Sequence, residues 1–128
     1  CLNFQLRPML TIGGVKIMLM HKDLQDGRWS KMSLVEQMAN IGSEVIRALN
    51  WKKKGNDKYA QDSNFRALEL FDLTLSGKFS GPALKEIARS RELWLDFFSG
   101  ENQYNQTASM WENYFFALTY AAQNSKKA

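Results

Sequence analysis

Cysteine, histidine and proline are scarce in this sequence, and their scarcity excludes several kinds of site. Of the 128 residues, one is cysteine, one is histidine and two are proline. Cys1 has no second cysteine with which to form a disulfide, so we expect the chain to fold in a reducing cytoplasm. His21 has no cysteine or serine partner in a recognisable spacing, and Gly13-Gly14 precedes no Gly-Lys-Ser/Thr phosphate loop. We therefore expect no catalytic residue, no metal site, no cofactor and no enzymatic activity.

Long apolar runs are also missing from the sequence. The longest, Ile17 to Met20 and Tyr114 to Leu118, are far shorter than the roughly 20 residues that a membrane-spanning helix needs. The N-terminal residues lack the basic and apolar regions of a signal peptide. These observations predict a cytoplasmic protein with no membrane partner. The 45% hydrophobic content is nevertheless enough for one continuous core.

Positive charge is concentrated in the first half of the chain. Residues 1–55 carry nine Lys/Arg against four Asp/Glu, giving +5, whereas residues 56–128 carry eight against nine, giving −1. A basic region favours anionic partners such as RNA. The alternative is a solvated face that binds nothing.

Residues 1–30 show no sustained period and are interpreted as an irregular N-terminal arm. A short strand from Leu10 to Val15 is one possibility within it. A second interpretation treats Ile12-Gly13-Gly14-Val15-Lys16-Ile17-Met18 as a translated ribosome-binding site, because Gly-Gly codons can encode a purine-rich leader before a start codon. On that interpretation the native protein begins at Met18 or Met20.

Beyond Ser33 the pattern becomes helical. Ser33-Leu34-Val35-Glu36 matches a capping box, in which the two polar side chains accept hydrogen bonds from free amides at a helix start. Gly55 and Gly100 provide stops, and Pro82 suits the first residue of a helix because its missing amide hydrogen would have no partner there. The sequence therefore predicts four helices, at about 33–54, 57–76 and 82–99, and from Thr107 or Ser109 to about 123.

Each predicted helix has an apolar stripe at steps of three and four residues, which is the spacing of a buried helix face. The stripes are Leu34, Met38, Ile41, Val45 and Leu49; Phe65, Leu68, Phe71 or Asp72, and Leu75; Leu84, Ile87, Arg91, Trp94 and Phe98; and Trp111, Tyr114, Phe115, Leu118 and Ala122.

Short connections between the helices favour antiparallel neighbours. We therefore predict an all-α, up-down four-helix bundle over residues 31–123, preceded by the arm and followed by a frayed tail at 124–128. Two helices carry apolar residues on more than one face, which predicts self-association. The candidate partner surface consists of Leu70, Leu73, Phe116 and Tyr120.

Two resemblances agree with this helical prediction. The segment from Trp51 to Leu75 resembles a single tetratricopeptide unit, because Trp51, Gly55, Ala67 and Phe71 have that repeat's packing spacing. No second copy follows, and a solenoid needs about three repeats, so a helical hairpin is the alternative. The segments 36–45, 66–75 and 111–115 resemble a family of small prokaryotic helical proteins without assigned activity. That resemblance implies the bundle and supplies no chemistry.

Charged residues within the helices predict ion pairs. Glu44 with Arg47, Arg66 with Glu69, and Arg89 with Glu92 have the spacing of helix neighbours. Arg91 interrupts an apolar stripe, and a buried charge needs a partner. We expect a buried ion pair of Arg91 with Glu44 or Asp72, and the alternative is a contact to an anion or ligand.

The end of the first predicted helix is the candidate anion or RNA contact. Lysine side chains can hold phosphates while an indole ring stacks on a base. The candidate residues are Arg47, Trp51, Lys52, Lys53, Lys54 and Lys58. The sequence thus predicts a non-enzymatic helical interaction protein, self-associating through apolar faces, with an RNA-binding accessory protein as the alternative.

Overall fold

The computed structural model describes residues 9–12, 15–18 and 27–127 of the chain, with side chains described from 27 to 124. The predicted all-α class is confirmed, because a short helix and four long ones account for nearly all of residues 27–127. The helices are α1 (Arg28–Lys31), α2 (Leu34–Lys53), α3 (Asp57–Leu75), α4 (Gly81–Phe98) and α5 (Ala108–Lys127). Among the described residues, no helix is both long and apolar enough to cross a membrane.

Two short strands lie within the predicted arm. Strand β1 (Met9–Ile12) pairs antiparallel with β2 (Val15–Met18), so that Met9 lies opposite Met18 and Ile12 opposite Val15. The single strand expected from Leu10 to Val15 is therefore wrong. The two strands are separated in sequence by Gly13-Gly14, a dipeptide favoured between hairpin strands because glycine tolerates positive φ. Cys1 and His21, together with most of the arm, lie outside the described residues.

Helix α2 begins as its sequence predicts. The Ser33 side chain accepts a hydrogen bond from the Glu36 amide at 3.2 Å, and the Glu36 carboxylate accepts one from the Ser33 amide at 3.2 Å. The predicted stripe is buried at four of its five positions, with Leu34 partly buried against the core. This helix is central, because it packs against both α3 and α5, while α4 packs against α3.

The core begins earlier than the predicted boundary at residue 31. Trp29 in α1 is buried, and its indole N–H donates to the Thr74 hydroxyl of α3 at 3.1 Å. The buried Gln37 side chain of α2 donates to the Trp29 carbonyl at 2.9 Å. Because these bonds join α1 to two long helices, the last residues of the predicted arm belong to the packed domain.

Helix α3 buries a different face from the predicted one at its start. Ser63 and Asn64 are fully buried, whereas the predicted core residue Phe65 is 44% exposed. Asn64 is buried because its side-chain oxygen accepts the indole N–H of Trp94 at 2.7 Å. A buried polar group that is hydrogen-bonded avoids the desolvation cost that an unpaired one carries.

Helices α2 and α5 approach so closely at Gly42 that no side chain fits there. A Cβ atom at this position would lie 2.6 Å from Cδ1 and 2.8 Å from Cβ of Phe115. On α5, Trp111, Phe115 and Ala122 are buried, in agreement with the predicted stripe. Contact between the Trp94 and Trp111 rings, at a centroid distance of 5.4 Å, brings α4 against α5 on the other side of the core.

Candidate functional site

One side of α5 is exposed and bears aromatic residues without charge. We define the α5 outer face as Asn113, Phe116, Ala117, Tyr120 and Ala121, all of which are exposed. Phe116 and Tyr120 are 54% and 67% exposed and lie one helical turn apart. Residues 113–125 include no charged side chain. An exposed aromatic patch of this kind is typical of a binding surface.

Of the residues in the predicted partner surface, only Phe116 and Tyr120 of α5 are largely exposed. Leu70 is 3% exposed and belongs to the core, and Leu73 is partly buried against that core. Leu70 therefore offers no surface to a partner, and Leu73 offers only part of its side chain. The error arises because α3 places small and polar residues in the interior, which turns its leucines inward with them.

The basic end of α2 is largely engaged within the protein itself. Lys52 lies 3.3 Å from an Asp57 carboxylate oxygen, and Lys53 lies 3.2 Å from one of Glu112 on α5. Lys54 lies above the Trp51 ring at 5.0 Å from its centroid. These lysine side chains are exposed, and such surface pairs contribute only about 0.2–1 kcal/mol each.

The proposed stacking residue of this basic end has an aromatic neighbour. Trp51 meets the edge of Tyr59 with ring centroids 4.9 Å apart, and Lys54 occupies a face of the same ring. A base stacking on the face that Lys54 covers would have to displace that lysine. Arg47 pairs with Glu44, and Lys58 is exposed. The six candidate residues thus lie on α2, at its C-cap and at the start of α3, and five of them already contact other side chains.

Two of the predicted ion pairs are present, Glu44 with Arg47 and Arg91 with Asp72. Arg91 Nε lies 2.9 Å from Asp72 Oδ1, although without the alignment of a hydrogen bond, and both side chains are about one-third exposed. The carboxylate of Glu44 is buried and is taken by two other arginines, Arg47 on its own helix and Arg66 of α3 at 2.7 Å. Of the two partners predicted for Arg91, Asp72 is the one in contact, whereas Glu44 is paired with Arg47 and Arg66; the Arg91–Asp72 pair is partly exposed, not buried as predicted.

A cavity of about 260 Å³ opens between α4 and α5. Sequence reasoning missed it. Its walls combine apolar and polar side chains, namely Glu86, Arg89, Ser90, Leu93, Gln106, Met110, Trp111 and Tyr114. A signal does exist in the sequence: Glu86, Ser90 and Leu93 recur at steps of four and three and so share a helix face. A search for apolar residues alone overlooks that face.

A chain of hydroxyl contacts forms one side of the cavity. The Tyr114 hydroxyl donates to the Glu86 carboxylate at 2.9 Å and lies 3.2 Å from the Ser90 hydroxyl. Burial raises the pKa of Tyr114, the Ser90 contact opposes the rise, and the Glu86 carboxylate adds to it. Tyr114 therefore stays a neutral hydrogen-bond donor wherever the protein is folded near neutral pH.

The floor of the cavity is held by the loop before α5. Gln106 is buried, and its side-chain amide donates to the Leu93 carbonyl at 2.9 Å and to the Asp96 carboxylate at 3.2 Å. The side-chain oxygen of Asn102, a residue with φ of 54°, accepts a hydrogen bond from the backbone N–H of Gln106 at 2.8 Å. These bonds fix the loop against α4, so the cavity has a formed wall rather than a mobile one.

The raised pKa of Tyr114 predicts a pH effect on stability. The folded state binds the hydroxyl proton of Tyr114 more tightly than the unfolded state does. The stabilisation from this group is therefore complete below pH about 10, and it is lost as the pH rises through the pKa of the folded state. Between pH about 9 and about 11, wild type should lose more free energy of unfolding than Tyr114→Phe, as urea denaturation would measure. Equal slopes for wild type and Tyr114→Phe would contradict the prediction.

Comparison with known proteins adds no relative. No family model, curated protein or solved structure matches this chain. The tetratricopeptide-like spacing and the likeness to small prokaryotic helical proteins therefore stay predictions. Within the described residues, no three His, Cys, Asp or Glu side chains are grouped so that they could hold a metal ion.

Proposed function

We propose that this chain is a non-enzymatic interaction protein that self-associates through the α5 outer face. The observation that carries the proposal is the exposure of Phe116 and Tyr120, at 54% and 67%, on a helix side without charge. Aromatic side chains provide a large apolar area with few rotatable bonds, and they are enriched at protein interfaces.

Charge supports a second copy of the chain as the partner. Two copies that each carry a net charge of +4 repel one another at long range. Residues 113–125 carry no charge, so close approach brings no like charges together there. A two-fold symmetric contact uses the same patch on both copies, and an uncharged aromatic helix face meets that requirement.

The packing of α5 also agrees with a partner on its outer face. Its Phe115 side lies against Gly42 of α2, and Lys53, at the C-terminal end of α2, pairs with Glu112 near the start of α5. This direction is that of antiparallel neighbours and supports an up-down bundle. The outer face is then turned away from the core, towards a partner.

The proposal predicts that a charge on the α5 outer face separates the copies. Phe116→Glu and Tyr120→Glu should each raise the dimer Kd by at least about 30-fold, since loss of an interface anchor costs roughly 2 kcal/mol or more. Sedimentation equilibrium over a range of concentrations would measure this. Phe65→Glu is the matched control, because Phe65 is also exposed but lies on α3.

Two results would contradict self-association through α5. One is a wild-type chain that sediments as a monomer at every concentration tested. The other is a Phe65→Glu variant that weakens the dimer as much as Phe116→Glu does, because the effect would then come from added negative charge in general. Thermal unfolding of all three variants would show that they remain folded.

The RNA-binding alternative has weaker support. Lys52 and Lys53 already have carboxylate partners, and Lys54 lies over the ring that would stack on a base. A single-stranded RNA probe at low salt tests it. Binding that falls steeply with salt and disappears in a Lys52→Gln/Lys53→Gln/Lys54→Gln variant would favour this function.

A further inference from the structure

Two opposite charges border the cavity between α4 and α5 without neutralising one another. Glu86 and Arg89 both line it and have the i, i+3 spacing at which helix ion pairs form. Among the described residues, however, the ion pairs of the protein do not include either side chain. Glu86 accepts the Tyr114 hydroxyl instead. The predicted ion pair between Arg89 and Glu92 does not form within the described residues either. The guanidinium of Arg89 thus has no carboxylate partner there.

Apolar side chains form the rest of the cavity wall. Leu93, Met110 and the ring of Trp111 lie next to the two charged groups. The Trp111 ring is fixed by contacts with Trp94 and Phe115, at centroid distances of 5.4 and 5.9 Å. Binding sites for small molecules combine such apolar walls with a few fixed polar groups.

We propose that this cavity binds a free amino acid with an apolar side chain. The ligand's carboxylate pairs with Arg89, its ammonium group pairs with Glu86, and its side chain lies against Leu93, Met110 and Trp111. Charge-assisted hydrogen bonds from a positive and a negative side chain then fix the orientation of one small molecule. The Tyr114 hydroxyl, which is already bonded to Glu86, holds that carboxylate in place.

The size of the cavity agrees with this class of ligand. Its volume of about 260 Å³ lies just below the roughly 300–1,000 Å³ of most small-molecule pockets. Nucleotides and larger cofactors would not be enclosed by it. The inference does not rest on self-association, because the cavity lies between α4 and α5 and the α5 outer face takes no part in it.

Titration with four related compounds tests each feature of the ligand separately. L-phenylalanine carries all three features, N-acetyl-L-phenylalanine lacks the ammonium, L-phenylalaninamide lacks the carboxylate, and L-serine lacks the apolar side chain. The readout is the indole N–H resonance of Trp111 in 15N-labelled protein, assigned with Trp111→Phe. We expect L-phenylalanine to shift it saturably and each of the other three to bind at least tenfold more weakly.

Two charge-neutral variants identify the groups on the protein. Arg89→Gln should weaken L-phenylalanine binding at least tenfold and leave the affinity for L-phenylalaninamide unchanged. Glu86→Gln should weaken L-phenylalanine binding to a similar extent and leave that for the N-acetyl compound unchanged. Lys85→Gln is the matched control, because Lys85 is exposed on the same helix but does not line the cavity. It should bind like wild type.

Several outcomes would overturn the proposal. The first is a Trp111 resonance that does not shift with any of the compounds at about 10 mM. That concentration is ten times a Kd of about 1 mM, which corresponds to only about −4.1 kcal/mol. If N-acetyl-L-phenylalanine bound as tightly as L-phenylalanine, the ammonium group would take no part in binding. If Arg89→Gln and Lys85→Gln lost the same affinity for L-phenylalanine, the effect would come from net charge and not from Arg89 itself. The oligomeric state, measured separately, decides the α5 interface and is not affected by these results.

Discussion

Replacing Trp94 with alanine is expected to lower the free energy of unfolding by about 3–5 kcal/mol, the usual cost of deleting a buried aromatic side chain. Trp94 is fully buried, stacks on Phe98 at a centroid distance of 4.9 Å and meets the edge of Trp111 at 5.4 Å. The deletion also leaves the Asn64 oxygen without its indole donor. Because small domains are stable by only about 5–15 kcal/mol, this loss is a large fraction of the total. Urea denaturation followed by circular dichroism measures the loss.

A milder change separates the hydrogen bond from the packing. Trp94→Phe keeps an aromatic ring but removes the donor, and an unsatisfied buried oxygen costs about 1–3 kcal/mol. Pairing it with Asn64→Ala in a double-mutant cycle should show a coupling of about 1 kcal/mol. Additive effects of the two changes would contradict the contact between Trp94 and Asn64.

Trp51→Ala is the control for the size of the deletion. Trp51 loses the same side chain but is only partly buried, at the C-terminal end of α2. Its loss should cost clearly less than that of Trp94. If the two alanine variants were equally stable, Trp94 would not be the centre of the core.

Replacing Gly42 with alanine is expected to destabilise the protein by up to about 2 kcal/mol, because forcing an extra methyl into a packed interior costs about 1–3 kcal/mol and the gain in helix propensity offsets only part of it. On helix propensity alone the change should stabilise by about 1 kcal/mol. The clash reverses that sign because the new Cβ would lie 2.8 Å from Cβ of Phe115, an atom that rotation of the side chain does not move. Helices α2 and α5 would have to separate.

Ser43→Ala tests this explanation on the neighbouring residue. Ser43 is exposed on α2, so the same final side chain meets solvent there. Thermal unfolding should show a lowered Tm for Gly42→Ala and little change for Ser43→Ala. A stabilised Gly42→Ala variant would show that the two helices are not in close contact.

The elements of the fold that were predictable are those in which apolar spacing and burial agree. In α2, Met38, Ile41, Val45 and Leu49 are all buried as their spacing indicates, and the capping box at Ser33 forms. The helix start at Pro82 was misplaced by one residue, since α4 begins at Gly81. Such termini depend on local cap geometry, which apolar spacing does not describe.

The part that could not be predicted is the polar interior of α3. Ser63, Asn64 and Thr74 are all buried, and two tryptophans distant in sequence donate hydrogen bonds to Asn64 and Thr74. A prediction based on hydrophobicity places polar residues such as these at the surface. It therefore placed Phe65 in the core instead of Asn64. Only the tertiary partner shows which of two neighbouring residues faces inward.

The candidate sites show the same limit. The aromatic side of α5 was predictable from Phe116 and Tyr120, since a helix with apolar residues on two faces cannot bury both in a small domain. The cavity was not, because its charged residues, Glu86 and Arg89, have the spacing of ordinary surface residues. What distinguishes them is the absence of a mutual ion pair within the described residues, and sequence spacing predicts the opposite.

The two indole hydrogen bonds to α3 also determine the alignment of its neighbours. Asn64 and Thr74 are ten positions apart, about 15 Å along the helix axis, and each accepts from a tryptophan on a different element. Aliphatic surfaces alone would permit a helix to slip by one turn with little loss. Here a slip of 5.4 Å would carry both oxygens beyond reach of their donors at once, so the misaligned alternatives of this fold are penalised at two separated points.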